Sequence, residues 1–193
     1  MFGDFLEWVV LIIIVLILII LIIWTIARTV RIYNRFYTLK NSSEGTLGQI
    51  RVAMKKRLDM IEQLLGAVKS YAKFEQETLT KVTAMRAAVT TGGPGDLAKV
   101  EADSRSIFGR LLAVAENYPD LKTSRTVTSL MDSVKSLEDE IARNRTAYNS
   151  ISQEFNTLMD TIPSRFVGRL TGLPKLEYLQ FEEAIQTAPS IEF

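Results

Sequence analysis

Between Glu7 and Arg28 the chain carries no charged side chain, and residues 8–27 are dominated by Ile, Leu and Val. A helix of roughly 20 apolar residues rises about 30 Å, the thickness of a bilayer's hydrocarbon core, so this run predicts a membrane-crossing helix. Trp8 and Trp24 lie near its ends, where amphipathic rings favour the boundary between lipid and water. A cleaved leader is the competing reading. It wants a basic start, a shorter apolar stretch and a small-residue cleavage site, whereas this chain opens with Asp4 and Glu7. Arg28, Arg31, Arg35 and Lys40 follow the run as candidate lipid-facing basic residues, and their positive charge places that side in the cytoplasm. The expected topology is a single pass through the cell membrane, with residues 1–7 outside and the C-terminal domain cytoplasmic.

With 193 residues the chain has room for one ordinary domain beside the anchor. It contains no Cys and no His, which removes disulfides, thiolate chemistry, imidazole acid–base catalysis, the usual zinc ligand sets and palmitoylation. A net charge of +1 predicts no strong pull toward nucleic acid.

Beyond the membrane no breaker occurs before Asn41-Ser42-Ser43-Glu44-Gly45, so the spanning helix is expected to run on to about residue 40 and stop at that polar turn. Residues 46–90 contain no Pro and only two Gly, and apolar side chains recur at Leu47, Ile50, Met54, Leu58, Ile61, Leu65, Val68, Ala72, Leu79 and Val82. Steps mostly of three and four predict one long amphipathic helix. Thr91-Gly92-Gly93-Pro94-Gly95 ends it; a phosphate-binding loop would need a following Lys-Ser or Lys-Thr and a preceding strand, and neither is there. Two further stripes, Leu97 to Tyr118 and Val127 to Ile162, predict helices at about 96–118 and 124–162, with Pro119 between them and Ser124 as an N-cap. The fold class is all-α: an N-terminal transmembrane helix continuing into a long antiparallel helical bundle over residues 28–163, with helices at about 28–40, 46–90, 96–118 and 124–162. Residues 164–193 form an irregular tail that either packs on the bundle or uses Arg165, Arg169 and Lys175 beside its apolar side chains to sit on the inner leaflet.

Few constellations suggest chemistry. Arg51, Lys55, Lys56 and Arg57 form a basic cluster that either meets acidic headgroups or is a solvated helix face. Arg145 falls in the apolar register between Ile141 and Tyr148, so it is either buried against a carboxylate or snorkelling at the bundle edge. Asn149 and Asn156, one heptad apart, are either buried amides fixing register between helices or plain exposed asparagines. Glu75, Glu77, Glu116, Glu138 and Glu140 suggest a di-metal bundle site, but such sites need Glu-x-x-His on two helices. No nucleophile has a base beside it, so no catalytic, cofactor or metal residue is expected.

The motifs do resemble a known family. Tyr33-Asn34, Lys55-Lys56-Arg57 with Asp59, Val68-Lys69-Ser70-Tyr71-Ala72-Lys73 and Glu75, and Val82-Thr83-Ala84-Met85-Arg86-Ala87 follow the pattern of the LemA family along the long helix. Leu111 through Lys122, reading LLAVAENYPDLK, is close to that family's central signature. Ile141 with Arg145, Tyr148-Asn149, Phe155-Asn156, Pro163-Ser164 and the ending Ala188-Pro189 with Ile191 and Phe193 agree as well. Four positions depart: Leu47 replaces a Trp, Arg51 an acidic residue, and Glu62-Gln63 a Pro-Asn pair, the loss of whose Pro should straighten the helix. The resemblance implies a single-pass, mostly helical protein without known activity or cofactor, associated in one branch with magnetosome membranes.

The function expected from these features is non-enzymatic: a membrane-anchored structural or adaptor protein that self-assembles as a homo-oligomer or scaffolds another membrane protein complex. The alternative is a membrane-shaping or lipid-sensing protein acting through the basic juxtamembrane segment and the tail. Membrane lipids are partners in either case, and nucleic acid in neither.

Overall fold

The structure, a computed structural model, describes residues 2–69 and 76–180, and the side chains from Glu7 onward except those of residues 76, 77 and 122. Its elements are α1 (Phe2–Val68), α2 (Gln76–Thr91), α3 (Pro94–Asn117), α4 (Pro119–Thr123), α5 (Arg125–Asp160) and α6 (Ser164–Thr171), followed by non-helical chain over residues 173–180. Every regular element among the described residues is a helix, as the periodicity predicts. The expected extensions of the long helix over residues 70–75, and of the tail over 181–193, lie outside the described residues.

The first helix departs from expectation at both ends of its water-facing half. No break occurs at Asn41-Ser42-Ser43-Glu44-Gly45; α1 runs through it to Val68. The apolar spacing explains why: Phe36, Leu39, Ser43 and Ile50 are all buried on steps of three, four and seven, so the stripe continues with a serine in one of its places. Gly45 and Gly48 cost roughly 1 kcal/mol each in helix propensity, less than the packing of that stripe returns. At the other end, residues 46–90 are not one helix. Arg86 of α2 bonds Asp59 of α1 and pairs with Glu62 at 2.7 Å. On a continuous helix residues 27 apart would be about 40 Å apart, so the chain has doubled back between them. The stripe of α2 then faces that of α1, with Val82, Met85 and Val89 in the same core as Leu58, Ile61 and Leu65. Periodicity is blind to such a reversal because both arms show the same period.

The chain forms two compact units, Met1–Ser42 with Ile151–Leu176, and Ser43–Ser150 with Glu177–Phe193. The second unit is the antiparallel bundle. Its core runs from Ile50 to Val68 on α1, through Leu97, Ile107 and Leu111 on α3, to Val127, Val134, Ile141 and Tyr148 on α5. Each fully buried aliphatic side chain contributes about 1.5–3 kcal/mol as an upper estimate. The connection between α2 and α3 is tight. A Cβ on Gly92 would lie 2.4 Å from the Ala88 carbonyl oxygen, so only glycine fits. Pro94 opens α3, and the Gly93 N–H donates to Asp96 Oδ2 at 3.0 Å. The LemA-like signature folds as the corner between α3 and α4, burying Leu111, Ala115 and Leu121.

In the first unit, Phe36 and Leu39 of α1 pack against Phe155 of α5 and Val167 of α6. The Phe36 and Phe155 rings meet edge to face, centroids 5.4 Å apart. Gly168 lets α6 approach closely, since a Cβ there would stand 2.7 Å from Met159 Sδ and 3.0 Å from Phe36 Cζ. Gly172, at φ 66°, ends α6 in the left-handed conformation that glycine adopts freely. Between Trp8 and Ile26 the apolar side chains of α1 are exposed, and this helix is long and apolar enough to cross a membrane.

Candidate functional site

The most concentrated charge in the bundle is buried, and it centres on a residue that the sequence places in a surface cluster. Arg57 of α1 is 1% exposed and donates to Glu138 Oε1 of α5 at 2.7 Å and to Glu101 Oε1 of α3 at 3.4 Å. Arg105 completes the set, reaching Glu101 at 2.7 Å and Glu138 at 3.9 Å. Burial pulls the Arg57 guanidinium below its ordinary pKa, while Glu138 and Glu101 push it back up. Two arginines and two carboxylates thus neutralise one another across three helices. The four basic side chains of the cluster therefore divide. Lys55 and Lys56 are exposed, Arg57 is interior, and half-buried Arg51 donates to the Gly92 carbonyl oxygen at 2.8 Å. An acid at position 51 has no proton to offer that carbonyl, so the exchange to Arg51 suits this turn.

Arg145 is half-buried between buried Ile141 and Tyr148 and has an interaction of its own. The signal that singles out Arg145 applies equally to Arg57, which stands three residues from Met54 and four from Ile61 in the stripe. Glu101, four from Leu97 and three from Ser104, is legible the same way.

Asn149 and Asn156 are half-buried and hold chain, but their partner is the tail and not another helix. In the first unit, Asn156 Nδ2 donates to the Leu176 carbonyl at 2.9 Å and its Oδ1 accepts the Leu176 N–H at 2.9 Å. In the second, Asn149 does the same to Leu179, at 3.0 and 2.9 Å. A side-chain amide has the donor and acceptor pattern of a peptide group, so each asparagine satisfies both polar groups of one tail residue. With Leu179 buried in the bundle core and Leu173 and Leu176 against the Phe36 cluster, this part of the tail packs on the helices.

The four candidate lipid-facing cations also divide. Arg28 and Arg31 are exposed, with the Arg28 guanidinium carbon 5.7 Å from the centroid of the Trp24 ring. Arg35 is paired with Glu154, its Nε at 2.9 Å from the carboxylate, and Lys40 is half-buried with its own interaction. Beside Arg28 lies a notch of about 480 Å3, walled by Trp24, Thr29 and Ile32 of α1 and by Phe166 and Val167 of α6.

Of the five carboxylates that suggest a di-metal site, Glu138 belongs to the Arg57 network, Glu116 is exposed and Glu140 half-buried. Glu75 and the Glu77 side chain lie outside the described residues. No group of three or more metal-ligating side chains occurs among the described residues. A shallow groove of about 750 Å3 beside α5, lined by hydroxyls of Thr128, Ser129 and Ser133 with Lys56, Arg125 and Asp132, mixes charges of both signs.

Among known proteins the chain is 29% identical over 146 residues to Protein LemA of Metamycoplasma hominis, covering 75% of this chain and 67% of the relative. It is 24% identical to Magnetosome protein MamQ 2 of Paramagnetospirillum magneticum, over 84% of this chain and 70% of that one. To Magnetosome protein MamQ of Magnetospirillum gryphiswaldense it is 23% identical, over 80% and 67%. The pattern of the LemA family matches residues 46–193, most of α1's water-facing half and all that follows it. The chain belongs to the LemA family.

Proposed function

We propose that this protein is a non-enzymatic, membrane-anchored structural protein, which holds its helical bundle at the cytoplasmic face and self-associates or organises a membrane complex. The observation that carries the reading is the continuity of α1: one helix supplies the charge-free run of residues 8–27 and the core side chains Ile50, Met54, Leu58 and Ile61. A chain built this way gives its anchor and its bundle a shared backbone. The interior charges accord with it as well, because Arg57, Glu101 and Glu138 are committed to one another. Relatives named as magnetosome proteins accord with a membrane-associated role.

Crosslinking in intact membranes, followed by mass spectrometry, tests the proposal. Self-crosslinked oligomers, or a recurrent membrane-protein neighbour, are the expected result. Monomers alone, with nothing captured, refute it. Cysteines introduced at positions 3 and 180 test the orientation in cells. Labelling of the first in intact cells and of the second only after disruption is expected, and the reverse pattern overturns the topology.

A further inference from the structure

The notch between α1 and α6 has a chemistry that the structural role does not use. We propose that it binds one anionic phospholipid of the bilayer that α1 crosses, with acyl chain against Trp24, Ile32 and Phe166 and phosphate at Arg28. The proposal rests on the membrane-spanning reading of residues 8–27.

Position supplies the first argument. The charge-free run ends at Ala27, and Arg28 to Ile32 spans about 6 Å of helix, the depth of a headgroup layer. The notch, about 480 Å3, begins on Trp24 inside the run and ends on Ile32 beyond it, so it is continuous with the surface that faces lipid and opens where phosphates lie. That volume is ordinary for a small-molecule site, whose range is about 300–1,000 Å3.

Charge supplies the second. None of the notch-lining residues is acidic. Among the described residues Arg28, Arg31, Arg165 and Arg169 have no ion-pair partner, whereas Arg35, one turn further along α1, is already taken by Glu154. A guanidinium with its donors uncommitted beside an apolar groove matches a phosphate linked to a hydrocarbon chain.

The outer face of α6 supplies the third. Ser164, Val167 and Gly168 are buried, while Phe166 is 60% and Leu170 86% exposed, with Ile162 before the helix at 75%. At 100° per residue Phe166 and Leu170 of α6 stand 40° apart, with Arg169 and Arg165 to one side of them. An exposed aromatic and aliphatic sector edged with arginines is the pattern of a helix lying in a membrane interface. In water it would be an unfavourable surface; in the headgroup layer it closes the notch from outside.

The full-length protein, purified in mild detergent and equilibrated with equal amounts of phosphatidylglycerol and phosphatidylcholine, is read by native mass spectrometry. One phosphatidylglycerol retained in preference to phosphatidylcholine is expected. Arg28→Gln should weaken that retention about fivefold, the effect of one cation at a membrane surface. Arg28→Lys should keep it within about twofold, and Lys55→Gln, an exposed cation of α1 outside the notch, should leave it unchanged. Thr29→Phe, which fills the notch, should abolish it with helical circular dichroism retained. Equal retention of the two lipids, indifference to Arg28→Gln or to Thr29→Phe, an equal loss in Lys55→Gln, or release by millimolar inorganic phosphate each overturns the proposal. Flotation with vesicles separates the two readings: protein that fails to float refutes the anchor, and protein that floats without lipid preference refutes only the notch.

Discussion

Replacing Arg57 by methionine removes the buried cation at the centre of the Glu101–Glu138–Arg105 network and leaves a side chain of similar length. Glu101, whose side chain is 4% exposed, then keeps only Arg105, at 2.7 Å; Glu138, 28% exposed, can turn toward water. Removing one partner of a buried pair costs about 3–5 kcal/mol. Because Arg105 still serves Glu101, the low end applies, about 3 kcal/mol. Glu101→Leu alone costs less, about 2 kcal/mol, since Arg57 keeps Glu138 at 2.7 Å. The double variant Arg57→Met/Glu101→Leu replaces the buried pair by apolar groups and also deletes the Arg57 Nε–H, which is buried without a protein partner. It should sit within about 1 kcal/mol of the natural sequence, against a sum of about 5 kcal/mol for the single changes. Thermal unfolding of the full-length protein in detergent, followed by circular dichroism at the helical band, converts these values to Tm. At about 2–4 °C per kcal/mol for a chain of this size, Arg57→Met should melt about 6–12 °C lower. A melt within about 2 °C of the natural protein, or a double variant as unstable as the sum of its singles, would refute the assignment of Arg57 as an interior ion.

Other consequences are equally direct. Asn156→Ala should strip the Leu176 N–H of its acceptor, and hydrogen exchange at that amide should accelerate at least about tenfold, equivalent to about 1.4 kcal/mol. Unchanged exchange would show that the tail is held by its leucines alone. Gly168→Val should destabilise by about 1–3 kcal/mol by forcing α6 off Met159 and Phe36, seen as faster proteolysis after Arg165 or Arg169; protease resistance equal to the natural sequence would contradict the close approach. Ser152→Ala should raise the Tm, since the Ser152 side chain is fully buried with its Oγ unpartnered, and the gain should be about 1 kcal/mol. A lowered Tm would show that the hydroxyl has a partner.

Charge and periodicity made much of this fold legible. The absence of any ion between Glu7 and Arg28 is decisive for α1, and Gly92-Gly93-Pro94 together with Pro119 marks the ends of α3 nearly to the residue. What failed did so for identifiable reasons. Asn41 to Gly45 contains the residue types that favour turns, yet buried Ser43 keeps the stripe in phase, and packing outweighs propensity. The reversal between α1 and α2 leaves no trace in periodicity because neither Pro nor a Gly pair accompanies it. At the candidate site, Arg145, Asn149 and Asn156 were visible as polar residues at or beside apolar register positions. The tail as the partner of both asparagines was not, since an amide that bonds backbone leaves no sequence signature in its partner. Arg57 was hidden by its neighbours: Lys55 and Lys56 made it look like one more member of a solvated patch.

The pairing of Phe36 with Phe155, and of Arg35 with Glu154, has a consequence for how the protein is made. The two members of the ion pair lie 119 residues apart in the chain. At roughly 5–20 residues per second of synthesis, about 6–24 s pass between the appearance of one side and that of the other. For that interval the face of α1 carrying Phe36 and Leu39 emerges without its cover, immediately beside the run of residues 8–27. On the membrane-spanning reading of residues 8–27, lipid is the apolar surface closest at hand, and the bilayer would be the temporary partner of this face until α5 and α6 arrive to displace it.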